Sequence, residues 1–210
     1  MLKKLLPVLL SVLLLQACAV PQALPEATDL KAGAGEVVVI GKIELVPPLE
    51  EGERKSRWNV IGEKRMFRMW MATGPEFRPV HTDSLRVSEF QSSLEVDWNR
   101  PYMVKMPRQR TFLNGGLTFL DGVKNEKLWF PGGYYFDVPA DARAVYIGTL
   151  RFHRNDFNSI TRVEVVEERR DIPLVLTTGS AAEVRTSLLK RAVPAGGGRV
   201  AAAEPRAAAR

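Results

Sequence analysis

Three sets of side chains in this 210-residue chain could carry chemistry. Cys18 is the only cysteine, so it can serve as a nucleophile or an attachment point but cannot close a disulfide within the chain. The two histidines lie far apart, His81 in Arg78-Pro79-Val80-His81-Thr82-Asp83-Ser84 and His153 three residues before Asp156. Zinc ligation is written most clearly as Cys-x-x-Cys pairs or as two histidines one helical turn apart, and neither spacing occurs. A metal site from His81, Asp83, His153 and Asp156 would have to be assembled by the tertiary structure. No Gly-x-Ser-x-Gly elbow marks a serine hydrolase, and the short spacing of His81, Asp83 and Ser84 in a loop gives no reason for their side chains to converge. Asn155, Asp156 and Asn158 offer oxygens, but without the acidic ladder and closing glutamate of a calcium loop they read as turn residues. No catalytic residue, metal or cofactor is implied.

The surroundings of Cys18 give it a role. Lys3 and Lys4 precede an apolar run from Leu5 to Leu15 broken only by Pro7 and Ser11, the layout of a secretory signal peptide over residues 1–17. Eleven residues are too few to span a bilayer core, which needs about 20 at 1.5 Å each. Leu15-Gln16-Ala17-Cys18 resembles the lipobox of bacterial lipoproteins. That resemblance implies cleavage before Cys18, acylation of its thiol and attachment to a membrane. Ala19, in place of the Asp that commonly retains such proteins in the inner membrane, implies the periplasmic face of the outer membrane. Two or three acyl chains on one residue make release negligible, since each buried CH₂ contributes about 0.8 kcal/mol.

A third set is aromatic. Trp129, Phe130, Tyr134, Tyr135 and Phe136 flank Pro131-Gly132-Gly133. Alternation along a strand places Tyr134 and Phe136 on one face and Tyr135 on the other. Core packing accounts for most of such residues, but a surface carrying Trp129 and Tyr135 could stack on the sugars of peptidoglycan or lipopolysaccharide, or hold a partner protein.

The elements that would position these residues are strands. Gly35 to Val46 (GEVVVIGKIELV) is rich in β-branched residues and ends in alternation before Pro47-Pro48. Ala142 to Arg154 (ARAVYIGTLRFHR) echoes it: aligned on Gly41 and Gly148, Ile43 lies over Leu150, Glu44 over Arg151 and Leu45 over Phe152. Ile160 to Glu168 alternates and follows a turn-forming RNDFNS, which predicts a hairpin. Further strands are read at Lys64–Met71, Arg100–Met106, Leu117–Gly122 and Lys127–Val138, with tight turns at Asn114-Gly115, Asp121-Gly122 and Pro131-Gly132-Gly133. Ser180-Ala181-Ala182-Glu183 fits a capping box, and Ala181, Val184, Leu188 and Ala192 recur at helical spacing, which predicts a helix over about 181–191. The sum is a mostly β fold, an antiparallel β-sandwich over 36–191 with one C-terminal helix. PGGYYF with AVYIGTLRF also loosely resembles the Pro-Gly-x-Tyr strand opening of prealbumin-like and carboxypeptidase-regulatory β-sandwiches, which implies the same architecture.

Residues 18–35, Ala- and Pro-rich without periodicity, read as a lipidated Cys and tether. Its 17 residues from Ala19 to Gly35 would reach about 60 Å extended and about 25 Å as a coil. Residues 192–210, Ala/Gly/Pro/Arg, lack the apolar side chains to order themselves. The formal charge of +6 comes from the two signal-peptide lysines and from the last 21 residues, where Lys190, Arg191, Arg199, Arg206 and Arg210 face only Glu204. Cys18 to Leu189 is neutral, so no electrostatic footprint for nucleic acid sits on the folded part. The expected activity is binding or scaffolding of another envelope component without catalysis. The alternatives are a glycan-binding module, or a hydrolase or metalloprotein using His81 and His153. The lone chain leaves partner and oligomeric state open.

Overall fold

The β-branched run at Glu36 forms a strand, and its neighbour is the run that echoes it. The computed structural model describes residues 21–53, 67–78, 92–121, 124, 126–177 and 181–192. Within them β2 (Glu36–Val46) and β8 (Ala144–Arg154) lie side by side and parallel. Beyond a bulge at Gly41 the register is Ile43 with Leu150, Glu44 with Arg151 and Leu45 with Phe152, the same pairs that the sequence alignment superimposes. Gly148 supplies the extra residue of that bulge at a φ of 89°, a left-handed conformation that glycine adopts without a Cβ penalty.

Two sheets pack around this pair. One contains, in order, β10 (Val184–Thr186), β8, β2 and β5 (Pro101–Pro107), with β9 (Ile160–Val166) also on β8. The other runs β1 (Gln22–Ala23), β4 (Ser92–Val96), β3 (Met69–Gly74), β6 (Thr111–Asp121), β7 (Glu126–Phe136) and β11 (Lys190–Arg191). The expectation of purely antiparallel sheets is corrected, because β1–β4, β2–β8 and β10–β8 are parallel pairs. The fold is mostly β with two mixed sheets, and among the described residues the helical turns are short 3-10 segments.

Between the sheets lies a core of Val37, Val39, Ile43, Leu45, Met69, Met71, Leu94, Phe130, Phe136, Leu150 and Phe152, among others. Phe130 stands edge-on to Phe152 at 4.9 Å and meets Trp98 at 4.9 Å. Each such ring contributes roughly 2–3 kcal/mol by leaving water. Polar groups at this depth are satisfied in sequence: Trp98 Nε1 donates to Thr118 Oγ1 at 3.1 Å, which donates to the carbonyl of Arg68 at 3.1 Å.

Two expected turns are not turns. Asn114-Gly115 and Pro131-Gly132-Gly133 lie inside the 11-residue strands β6 and β7, facing each other across a register shift. The Pro-Gly pair therefore sits in mid-strand, not at a strand opening. A Cβ on Gly132 would overlap the backbone of Asn114 and Gly115, so the glycines are there to let two backbones approach closely. Asn114, 1% exposed, uses the kink to receive the Arg78 N–H at 2.9 Å and donate to the carbonyl of Glu76 at 3.1 Å. Asp121 ends β6, Gly122 of the turn expected there lies outside the described residues, and the RNDFNS hairpin joins β8 to β9 as expected.

Both terminal segments depart from expectation for one physical reason. The helix expected over 181–191 is replaced by a 3-10 turn at Ala181–Glu183 and then by β10 and β11. Open strand edges offer this segment backbone partners: β10 pairs with β8, the Ser187 and Leu189 N–H groups reach the carbonyls of Tyr146 and Ile147, and β11 pairs with β7. At the opposite edge, residues expected as a free tether are docked. β1 pairs with β4, Glu26 bridges to Val104 of β5, the Ala27 N–H bonds the Met103 carbonyl at 2.9 Å, and Leu30 is buried beneath the outer face of the β2–β8 sheet. Helical spacing and lack of periodicity are local signals, and unpaired sheet edges override both.

Replacing Gly132 with Ala is expected to destabilise the fold by about 3 kcal/mol, by forcing β6 and β7 apart. Gly52→Ala, where a new Cβ meets nothing within 4 Å, should leave the urea midpoint unchanged; equal midpoints for both variants would contradict the close approach.

Candidate functional site

The strand β7 presents Leu128, Phe130, Tyr134 and Phe136 to the core, which turns Trp129 and Tyr135 to the outer face of the same sheet. Both are half-exposed. Trp129 is registered with Leu117 and Leu117 with Trp70, while Tyr135 is registered with Phe112. Around Tyr135 stand Phe112 at 5.4 Å between ring centroids, the Arg110 guanidinium at 5.0 Å and the Lys190 ammonium at 5.9 Å, and Phe77 extends the row to Phe112 at 6.1 Å. Around Trp129 stands the Lys127 ammonium at 5.6 Å, also 5.3 Å from the Phe119 ring. Six residues of strand separate the two groups, about 20 Å.

Each aromatic group is thus paired with cations, an arrangement worth about 0.5–1 kcal/mol per exposed contact. Asp137 lies between Lys190 (3.0 Å) and Arg110 (2.7 Å), whose hydrogen bonds hold its carboxyl below the ordinary range. The face can stack on apolar ring surfaces and offer positive charge to carboxylates or phosphates beside them.

The outer face of the other sheet is polar toward its β9 end, beyond the apolar patch of Val38, Ile40, Ala144 and Tyr146 that covers Leu30. Across β2, β8 and β9 the register gives rows of Lys42, Thr149 and Val166, of Glu44, Arg151 and Glu164, and of Val46, His153 and Arg162. Lys42 Nζ lies 3.3 Å from Glu168, 3.4 Å from Asp171 and 3.7 Å from Glu44. Arg151 bonds Glu44 through Nε and lies 3.3 Å from Glu168 through Nη2. Thr149 Oγ1 donates to Glu168 at 3.0 Å, and the Glu168 N–H donates to the buried Tyr146 hydroxyl at 2.8 Å. Burial pushes the Lys42 ammonium down, but Glu44, Asp171 and Glu168 together raise its pKa above the usual value. Burial pushes the Glu168 carboxyl up, and Thr149, Lys42 and Arg151 bring it below the ordinary range. Positive and negative groups alternate, so the ladder fixes how β2, β8 and β9 are registered.

The structure sorts the residues singled out from the sequence. Cys18, His81, Asp83 and Ser84 lie outside the described residues. His153 stands on β8 with its Nε2 against Glu164 and 3.1 Å from Arg162 Nη2, so it belongs to the ladder instead of projecting alone into solvent. Asp156 is exposed at the tip of the β8–β9 hairpin. Asn155 Oδ1 accepts the N–H groups of Phe157 (3.1 Å) and Ser159 (3.0 Å), and Asn158 takes a left-handed φ of 57°, which is turn chemistry. Trp129 and Tyr135 share one face, as a joint surface requires. The ladder itself escaped sequence reading, although opposite charges at the aligned positions Glu44 and Arg151 were its trace.

One further cation is deeply held. Arg154, with a side chain 5% exposed, bonds both oxygens of Glu53, the carbonyls of Pro47 (3.0 Å) and Pro48 (2.8 Å), and Asn158. It ties the loop after β2 to the β8–β9 hairpin. These bonds outweigh burial and bring the Glu53 pKa down to about 2. No known family model matches the chain, and no curated protein or solved structure is significantly similar to it.

Two outcomes follow from these networks. A carboxyl whose folded pKa is depressed stabilises the fold above its unfolded pKa of about 4.5, and that contribution disappears as pH falls toward about 2. Urea titrations should therefore show wild type losing more stability between pH 5 and pH 2.5 than Glu53→Gln, which is already less stable at pH 7. Lys42→Met leaves Glu168 and Asp171 facing each other with less compensation and should cost about 2 kcal/mol. Arg170→Ala, at a largely exposed partner of Glu168, should stay within about 0.5 kcal/mol of wild type.

Proposed function

We propose that the chain is a bacterial lipoprotein, acylated at Cys18 and held at the periplasmic face of the outer membrane. Its β domain binds or scaffolds another envelope component and catalyses no reaction. The observation that carries this reading is Leu15-Gln16-Ala17-Cys18 at the end of a short apolar run behind Lys3 and Lys4. The aromatic face supplies a surface suited to binding. Rings with cations beside them desolvate easily on one side and keep a charged rim, the composition of an interface centre.

A second reading is favoured by the spacing on that face. The Tyr135 and Trp129 groups lie about 20 Å apart along β7, which suits an extended glycan better than a single sugar. Aromatic faces stack on sugar rings, while Lys127, Arg110 and Lys190 can meet acidic groups between them.

Cys18→Ser is expected to abolish incorporation of labelled palmitate and to move the protein from the membrane to the soluble fraction; membrane retention without label would overturn the anchor. Trp129→Ala with Tyr135→Ala separates the two binding readings. Under the glycan reading, co-sedimentation with purified peptidoglycan or lipopolysaccharide should fall at least tenfold. Under the scaffolding reading, the wild type should not sediment with either, and the double variant should lose a protein crosslink formed in intact cells.

A further inference from the structure

Where the chain joins the fold limits where an acylated residue 18 can be. Pro21 is buried and Gln22 is paired with Ser92, so three peptide links separate Cys18 from docked backbone. An extended chain covers at most about 3.6 Å per residue, which places the Cys18 Cα within about 11 Å of the Pro21 Cα. The leash expected from composition is nearly absent.

The direction of approach is also defined. β1 runs parallel to β4 and meets its first residues, so the chain arrives at the end of the stack where β4 begins and β3 finishes. The turn before β2, the β5–β6 hairpin around Gln109 and the β7–β8 connection around Ala140 are at this same end. Arg108 binds them into one platform: its Nη1 donates to the carbonyls of Ala140 (3.2 Å) and Ala142 (2.6 Å), and its Nη2 to that of Glu36 (3.1 Å). Those bonds leave its charge against carbonyl dipoles instead of a carboxylate. Among the described residues at this end, Glu76 faces Arg78, Asp137 faces Arg110 and Lys190, and Asp141 faces Arg185, while the Glu36 carboxylate accepts the Gly33 N–H at 2.9 Å.

We propose that this platform is seated on the headgroup layer of the membrane that carries the Cys18 anchor, with the two sheets rising from it. This rests on the reading of Cys18 as acylated. The short connection holds the platform at the bilayer, where the exposed Arg110, Arg185 and Lys190 side chains can meet lipid phosphates. The Tyr135 group then lies near the lipid and the Trp129 group about 20 Å farther out.

The test uses the full-length protein, purified with its acyl chains and reconstituted in phosphatidylcholine–phosphatidylglycerol vesicles containing nitroxide-headgroup lipid. Gln109→Cys and Asp156→Cys, each labelled with a fluorophore, report the platform and the opposite hairpin, the acylated Cys18 being unreactive. Quenching at position 109 should exceed that at 156 by at least fivefold. A 15-residue Gly/Ser insertion between Val20 and Pro21 should shrink the difference below about twofold. Equal quenching in an acylated protein, verified by intact mass, would overturn the seating alone. A mass showing no acyl chains would overturn the anchor and the seating with it.

Discussion

The parallel pairing of β2 with β8 is the contact on which the rest of the structure depends. It joins segments more than 100 residues apart and places β5 on one side and β9 and β10 on the other. Its inner face supplies Val39, Ile43, Leu45, Leu150 and Phe152 to the core between the sheets, while its outer face supplies Lys42, Glu44 and Arg151 to the charged ladder. A one-residue slip would exchange those two faces along the whole pair. The Gly41–Gly148 bulge and the Glu44–Arg151 ion pair both oppose such a slip, one through backbone shape and the other through charge.

A stack of two open sheets leaves four edge strands, each with unpaired N–H and C=O groups. Here the terminal segments are used to close two sides. The arm from Gln22 to Leu30 bonds β4 in one sheet and β5 in the other, and the strand pair β10–β11 bonds β8 and then β7. Each segment crosses from sheet to sheet, so each holds the layers together as well as covering an edge. The arm has a second consequence, because a docked arm leaves almost no linker for the anchor proposed at residue 18.

How much of this could be read from residues alone depends on the range of the interaction. Alternating strands at Glu36–Val46, Ala144–Arg154 and Ile160–Val166 were legible because strand periodicity is local. The hairpin at Asn155–Ser159 was legible because its turn chemistry is contained within a few residues. Ser92–Val96, a short strand in a polar stretch, was not. Pro131-Gly132-Gly133 misled because glycine's freedom serves a close strand crossing as readily as a turn, and only the Asn114 backbone distinguishes them. Of the candidate site, Trp129 and Tyr135 were placed on a common face in principle by alternation; their companions Phe112, Arg110 and Lys190 arrive from other strands.

The sequence by itself determined the mostly β character, the neutral charge of the central region, the solitary cysteine and the lipobox-like setting around it, since all of these follow from composition or from neighbours along the chain. The tertiary structure alone decided that the two echoing strands pair with each other, that Val184–Thr186 and Lys190–Arg191 form strands where a helix was expected, and that the Ala/Pro-rich stretch before Glu36 is part of the fold. Those outcomes turn on backbone groups left open at sheet edges, which exist only once distant strands have come together. Whether residues 21–35 hang free or dock on the sheets was decided in the same way, by edges of β4 and β5 that no local pattern in the arm reveals.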